Sequence, residues 1–196
     1  MPGGVAGTAR IAPNRTVWMP PADQPTLVPG RACGACAMCC KLHHIAELAK
    51  PVGVWCPHVV LGKGCGIYGE RPDSCRTFFC LWMQDAGLGP EWKPDRAKFV
   101  LYLHGSSASL QVSVDRNFPT AWRREPYHGQ LTRWAREGAQ RGSFVFVRIG
   151  ERVIVILPDG ERDLGAVAQD DDIRIARRMT PAGFDYAVEV VKGGGR

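Results

Sequence analysis

The sequence contains no long hydrophobic run. Nowhere in its 196 residues do about 18 apolar residues follow one another, so no transmembrane helix is predicted. The N-terminal segment also lacks the continuous apolar stretch of a secretory signal. Hydrophobic residues make up 45% and charged residues 22% of the chain, values typical of folded globular proteins. We therefore expect a folded cytoplasmic protein that has no membrane segment.

Motifs of several enzyme classes are absent as well. There is no Walker A loop, no dinucleotide-binding glycine loop after a strand, no nucleophile elbow and no HExxH motif. A basic tail is also missing, because the net charge of +6 is spread along the chain. Residues 1–90 carry 8 basic and 5 acidic groups, and residues 91–196 carry 17 and 14. Charge alone therefore does not indicate a nucleic-acid partner.

One stretch, Arg116–Arg141, carries six arginines with Trp122 and Trp134 interleaved. Interleaved basic and aromatic residues are one signature of contact with single-stranded nucleic acid. A solvated helix face with buried tryptophans accounts for the same pattern and is the interpretation that we favour. Nucleic-acid binding is kept only as an alternative.

Cysteine is missing from most of the chain but dense in one part. None occurs in residues 1–32 or 81–196, and all eight lie within the 48 residues from Cys33 to Cys80. Because the cytosol keeps thiols reduced, such a cluster favours metal binding over disulfides. The predicted metal ligands are Cys33, Cys36, Cys39, Cys40, Cys56, Cys65, Cys75 and Cys80.

The first four cysteines form a C-x2-C-x2-C-C run. A C-x2-C spacing lets a tight turn bring two sulfurs to about 2.3 Å from one metal ion. Cys39 and Cys40 point in different directions in any regular backbone, so one of them serves a second centre or is a spare. Eight thiolates make two four-cysteine centres, or one such centre with four other thiols. Spacing does not decide between Zn²⁺ and iron, the latter including an iron–sulfur cluster.

A second motif, C-x-I-Y-x2-R-P-x2-C-R-x3-C, runs from Cys65 to Cys80. Together with the first run and the lone Cys56, it resembles the small bacterial cysteine-cluster proteins described as zinc- or iron-chelating domains. The resemblance covers Cys33–Trp82, about a quarter of the chain. It implies metal binding, and a related domain in a flagellin lysine methylase implies enzyme chemistry in some relatives.

Other residues near the cysteines are candidates for a supporting role around a metal. Tyr68, Arg71 and Arg76 belong to the second motif, and Arg31 and Lys41 flank the first. We expect these residues to supply part of the donors and cations that a buried thiolate centre needs nearby, and Arg71 to donate to loop carbonyls or sulfurs.

Three histidines also lie close to the cysteines: His43, His44 and His58. Because eight thiols are already available, we expect these imidazoles to face solvent or to be hydrogen-bonded rather than to bind a metal.

Glycine and proline divide the chain into four predicted parts. Residues 1–30 form an extended arm, and residues 31–85 form a small metal-centred cysteine module. Residues 90–191 form an α+β domain, and residues 192–196 form a frayed tail. Within the module only short helices are expected, over residues 45–50 and 74–84.

The α+β domain is predicted to contain a mostly antiparallel sheet and one main helix, residues 127–141. The predicted strands are 98–104, 109–115, 143–149, 152–157, 173–179 and 184–191. The residues expected on one sheet face beneath the helix are Phe99, Leu101, Leu103, Val112, Val114, Val145, Val147, Val153, Val155, Val188 and Val190. This core needs no metal, whereas the cysteine module does.

These observations predict a metal-binding protein whose expected partners are metal ions, while its protein partners and biological role are left open. One alternative is a metal- or iron–sulfur-dependent protein-modifying enzyme. Two four-cysteine centres leave no cysteine to spare, and such closed ligation is typical of structural rather than catalytic sites. The other alternative is a nucleic-acid or protein adaptor that contains a structural zinc module.

Overall fold

The computed structural model describes residues 25–104, 108–181 and 183–193. Within these ranges the chain has both helices and mainly antiparallel sheets, so the predicted α+β class is confirmed. Among the helices in these ranges, none is long and apolar enough to cross a membrane. The predicted N-terminal arm lies outside the described residues up to residue 24, as do residues 194–196 of the predicted tail.

The segment that carries the cysteines folds into short elements. Its helices are α1 (Met38–Leu42), α2 (Asp73–Thr77) and α3 (Leu81–Gln84), followed by α4 (Pro94–Ala97). Its strands are β1 (Val59–Val60) and β2 (Gly64–Cys65), and its 3₁₀ turns are Ala46–Leu48, Tyr68–Glu70 and Pro90–Trp92. The helix predicted over 74–84 is divided in two because Phe78 and Cys80 have extended backbone angles. The helix predicted over 45–50 is a single 3₁₀ turn.

A five-stranded sheet forms the body of the C-terminal part. Its strands, in both chain and spatial order, are β3 (Phe99–His104), β4 (Ser109–Val114), β5 (Val145–Ile149), β6 (Arg152–Leu157) and β7 (Gly160–Ala166). β4 and β5 run parallel, and the crossover that joins them carries α5 (Tyr127–Ala139) and the 3₁₀ turn Ala121–Arg123. The prediction lacks β7, because its sequence GERDLGA has almost no apolar alternation.

The two faces of the sheet have different coverings. One face packs against α5, where Leu131 and the nearby Trp122 are fully buried. The buried sheet residues in this core are Phe99, Leu101, Leu110, Val112, Val114, Val145, Val147, Ile154 and Ile156. The opposite face packs against a separate hairpin of β8 (Asp172–Thr180) and β9 (Gly183–Val191).

The predicted core needs three corrections. Leu103 is 51% exposed. On β6, Val153 and Val155 lie on the face away from α5, since successive strand residues alternate between faces and their neighbours point to the helix. Val188 and Val190 were also expected on the face beneath the helix. They lie instead on β9 of the hairpin, where they are partly buried against the apolar cluster on the opposite face of the sheet.

The cysteine segment covers part of the same face as the hairpin. Met38 and Leu42 of α1 bury against Val100 of β3. On the same helix, the ammonium of Lys41 donates to both carboxylate oxygens of Asp115 at 2.7 Å, and both side chains are buried. An apolar cluster and a buried ion pair therefore join the cysteine segment to the sheet.

The first two residues of the predicted tail are bound to the hairpin. The Lys192 ammonium lies 2.7 Å from a carboxylate oxygen of Asp171, and the Gly193 N–H donates to the other oxygen at 3.2 Å. Lys192 and Gly193 of the predicted tail therefore have a partner beside β8.

Candidate functional site

The eight thiols surround two adjoining cavities beside the sheet. The larger cavity has a volume of about 140 Å³, and the smaller one about 30 Å³. Cys33, Cys36 and Cys39 line both cavities, and Cys80 lines only the smaller one. The cysteines that line only the larger one are Cys40, Cys56, Cys65 and Cys75. All eight are free thiols.

The first group of thiols, around the smaller cavity, is Cys33, Cys36, Cys39 and Cys80. The Cys36 N–H donates to the Cys33 carbonyl at 3.0 Å and closes the turn between them. Gly64 of β2 covers this turn so closely that a Cβ there would lie 2.3 Å from a carbonyl oxygen of the turn. Burial, with smaller contributions from the nearby Cys33 and Cys36, raises the pKa of Cys80 to about 11.

The second group, around the larger cavity, is Cys40, Cys56, Cys65 and Cys75. The Cys56 N–H donates to the Cys40 carbonyl at 3.0 Å, which fastens the loop before β1 to α1. Cys75 lies on α2, and Cys65 lies on β2. Burial raises the pKa of Cys75, and the nearby Cys40 and Cys56 raise it further, so three thiols of this group interact.

Cys39 and Cys40 belong to different groups but share a side-chain hydrogen bond. This bond raises the pKa of Cys39 well above its ordinary value and helps to lower that of Cys40 to about 7. Burial opposes the lowering at Cys40, while the charges of Lys50 and Arg71 add to it.

Lys50 is a buried cation that sequence analysis missed. Its ammonium donates to the carbonyls of Lys41, at 3.0 Å, and of His43. Burial lowers the pKa of Lys50, whereas neighbouring thiols, led by Cys40 and Cys56, raise it. The available signal was a single lysine in the otherwise mostly apolar stretch AELAKPVGV.

Arg71 and Tyr68 lie beside the thiols, where they were predicted. Arg71 Nε donates to the Tyr68 carbonyl at 2.8 Å, and its guanidinium stands 3.6 Å from the centroid of the tyrosine ring. The Tyr68 side chain is hydrogen-bonded to Cys33. This pair therefore contacts the first group directly and the second group electrostatically, through the effect of Arg71 on Cys40.

Three other predicted supporting residues have different partners. Arg76 pairs with Asp73 at the surface and lines neither cavity. The Lys41 ammonium forms an ion pair with Asp115 of the sheet region. Arg31 donates to the carbonyls of Trp82, Asp85, Ala86 and Leu88. It therefore fixes the loop after α3 instead of contacting a sulfur.

The environment of His43 differs from the prediction. Its ring lies 4.4 Å from that of Phe78 and 5.0 Å from that of Tyr102, measured between centroids. Its Nε2 is buried and has no hydrogen-bond partner among the described residues. Burial lowers the pKa of His43 to about 4. The imidazole is therefore neither solvent-facing nor fully hydrogen-bonded.

The thiols surround the cavities without converging on one point. Across the part of the chain that the structure describes, no three or more histidine, cysteine or acidic side chains are grouped closely enough to hold a metal ion. The donor set is nonetheless chemically suited to a soft metal, because eight free thiols lie around two cavities beside two cations.

The sheet contributes a polar strip that sequence analysis did not single out. Tyr102 and His104 of β3, Ser113 of β4 and Arg148 of β5 line the larger cavity. Ser113 and Arg148 are direct neighbours across the two strands, and Tyr102 is hydrogen-bonded to Ser113. Polar residues at alternate strand positions usually indicate a solvent-facing side. Here the cysteine segment covers that side.

Comparison of the chain with protein-family models, curated proteins and solved structures finds no match in any of the three. The resemblance to the cysteine-cluster proteins therefore depends on the two motifs alone.

Proposed function

We propose that residues 31–85 chelate zinc or iron, the latter including an iron–sulfur cluster, in two four-thiolate centres. The observation that carries this proposal is the gathering of all eight free thiols around two adjoining cavities. Soft thiolates prefer these metals. Membership of the cysteine-cluster family and a cytoplasmic location, where thiols stay reduced, are part of the same proposal.

The two groups of thiols define the proposed ligand sets. Cys33, Cys36, Cys39 and Cys80 bind one centre, and Cys40, Cys56, Cys65 and Cys75 bind the other. This division is supported by the interactions of Cys80 with Cys33 and Cys36, and of Cys75 with Cys40 and Cys56. Metal binding draws each group inward from the cavity wall, because four sulfurs must come within about 2.3 Å of one ion.

Lys50 and Arg71 give this segment its complementary charge. Four thiolates around Zn²⁺ or a [4Fe–4S]²⁺ core carry a net charge of −2, so buried centres need cations and N–H donors nearby. Lys50 and Arg71 act on Cys40, and the Tyr68 side chain hydrogen-bonds to Cys33. The metal–thiolate bonds cross-link the segment and so stabilise it, because it has few buried apolar side chains.

Elemental analysis of tag-free protein purified without oxygen tests this proposal, together with its visible spectrum. Colourless protein with two zinc ions per chain supports zinc centres. Coloured protein that contains iron and acid-labile sulfide supports clusters. Metal-free protein from both aerobic and anaerobic preparations contradicts the proposal.

Two serine substitutions test the division into ligand sets. Cys80→Ser and Cys75→Ser should each lower the metal content by about half, and the double variant should remove nearly all of it, because each centre loses one of four ligands. Thr77→Ser is the matched control, since it lies on α2 with Cys75 and has no thiol. A double variant that retains as much metal as either single variant would place both cysteines in one centre.

A metal-dependent enzyme is the second candidate function. The observation in its favour is the larger cavity, which extends from the second group of thiols to the polar strip of the sheet. A catalytic centre keeps one coordination position for substrate, whereas a structural centre is closed. X-ray absorption at the metal edge distinguishes the two: four sulfur neighbours at both centres count against catalysis, and a lighter fourth ligand at one centre supports it.

A further inference from the structure

The described lining of the larger cavity includes three arginines and three histidines but no aspartate or glutamate. Burial lowers the pKa of His43 to about 4 and also lowers the pKa of His104, so the positive charge along the strip comes from arginine. The arginines are Arg71, Arg116 and Arg148, and the histidines are His43, His44 and His104. Arg71 is engaged by the Tyr68 ring and carbonyl. The other two arginines have no acidic partner among the described residues.

Arg148 is the more constrained of these two. It lies on the central strand β5 and is only partly exposed. Its one side-chain hydrogen bond within the described chain is a long one, 3.4 Å from Nε to Oε1 of Gln111. Burial lowers the pKa of Arg148, which means that desolvation of the guanidinium disfavours its charged form. The two terminal nitrogens of the Arg148 guanidinium can therefore donate to another acceptor.

The thiols do not account for the charge of Arg148. The cations with the main effects on the cysteine pKa values are Lys50 and Arg71, both acting on Cys40. Arg148 instead influences Tyr102 and His104. The cavity therefore contains two separate electrostatic systems, one at the thiols and one along the polar strip of the sheet.

The remaining walls and the rim indicate the size and character of an occupant. The cysteine segment contributes apolar side chains to the same lining. They are Ile45, Leu48, Val52 and Ile67. At the rim, Arg116 extends between two glycine turns, and a Cβ at Gly150 would lie 2.2 Å from its Nε. The whole cavity, from the thiols to the strip, has a volume of about 140 Å³, so its part along the strip has room only for a small molecule.

We propose that this cavity binds a small organic anion, whose carboxylate or phosphate group pairs with Arg148 and whose apolar part contacts the apolar side chains of the cysteine segment. The planar guanidinium fits either group in a bidentate manner. Tyr102, Ser113 and His104 offer further polar contacts along the strip, and Arg116 adds positive charge at the rim.

Calorimetric titration of the full-length, metal-analysed protein tests this site with three probes. Benzoate carries a carboxylate, phenyl phosphate carries a phosphate, and benzamide is a neutral analogue with the shape of benzoate. We expect at least one anion to bind about tenfold or more tightly than benzamide, because a charge-assisted hydrogen bond contributes about 1.5–3 kcal/mol. The stronger of the two anions identifies the source of the negative group.

Arg148→Met should weaken binding of that anion by about tenfold or more and leave benzamide binding unchanged. Arg148→Lys keeps the charge and guards against a folding defect, so it should retain most of the anion affinity. Arg133→Met is the matched control, since Arg133 is exposed on α5 and the net charge changes equally. Metal content and unfolding temperature of each variant are measured alongside.

Three results would overturn the proposal. The first is equal binding of the anions and benzamide by the unchanged protein. The second is an equal loss of affinity in Arg133→Met and Arg148→Met. The third is anion binding that chelator treatment abolishes and Arg148→Met does not alter, which would place the anion on the metal. Because metal content is measured separately, failure here leaves the proposed metal centres standing.

Discussion

The cysteine segment and the sheet region differ in how many large apolar side chains they bury. The twelve largest fully buried side chains of the described chain all lie between Phe99 and Ile175. None of these twelve lies in the cysteine segment. Among the described residues, that segment exposes five large apolar side chains, against four in the longer sheet region; the five are Val54, Trp55, Val60, Leu61 and Tyr68. The segment has helices of four or five residues, whereas α5 has 13.

This difference indicates what the proposed metal centres would contribute to stability. A segment of about fifty residues buries too little apolar surface to offset its loss of conformational entropy. Four-thiolate centres can supply the missing free energy, because metal binding is coupled to folding. The sheet region has two apolar clusters, one on each face, and is stable without bound metal on that account.

Metal removal should produce the largest effect and separate the two regions. After chelation, we expect limited proteolysis to cut within residues 31–85 and to leave a resistant fragment that begins near Phe99. The physical reason is that the sheet region keeps its apolar core, while the cysteine segment loses its cross-links. Mass spectrometry of the fragments locates the cuts.

Metal-loaded protein under the same protease is the control and should resist cleavage in both regions. Simultaneous digestion of the whole chelated chain would contradict the separation. It would mean that the contacts of α1 with Val100 and Asp115 join the two regions into one cooperative unit.

The Lys41–Asp115 pair measures how strongly the two regions are joined. Lys41→Met should lower the free energy of unfolding by about 3–5 kcal/mol, because it leaves the buried Asp115 carboxylate without its cation. The double variant Lys41→Met/Asp115→Asn should recover more than half of this loss, since no unpaired charge remains. Urea unfolding of metal-loaded protein, followed by circular dichroism, provides the measurement.

A double variant as unstable as Lys41→Met alone would be inconsistent with an electrostatic origin. The loss would then come from the packing of α1 against the sheet. Asp73→Asn serves as the comparison within the cysteine segment, because its pair with Arg76 is exposed and contributes little.

Sequence predicts the strands and the main helix of the sheet region well, because their apolar alternation is strong. The strand Arg152–Leu157 is predicted with its observed bounds, and α5 begins at the predicted Tyr127. The faces are harder to predict, since a strand such as RVIVIL is apolar on both sides and a shift of one residue exchanges them. The parallel pairing of β4 and β5 depends on a crossover that no local pattern specifies.

The candidate site shows a similar limit. The eight cysteines and Arg71 are identifiable from spacing and motif alone. Lys50 and Arg148 are not, because their significance depends on burial that arises only when distant segments pack together. Arg76 shows the opposite error: it lies in the motif, yet its side chain pairs with Asp73 at the surface.

A matched pair of leucine substitutions compares the two regions most directly, and its Leu61 member has the smallest expected effect on the free energy of unfolding. Leu131→Ala should lower the free energy of unfolding by about 2–5 kcal/mol, because Leu131 is fully buried beneath the sheet. Leu61→Ala should change it by about 0.5 kcal/mol or less, since Leu61 is 87% exposed. The same urea titration of metal-loaded protein compares both variants. A large loss in Leu61→Ala would show that the exposed apolar loop of the cysteine segment is covered in solution, and the segment would then have an apolar contribution to stability besides its metal.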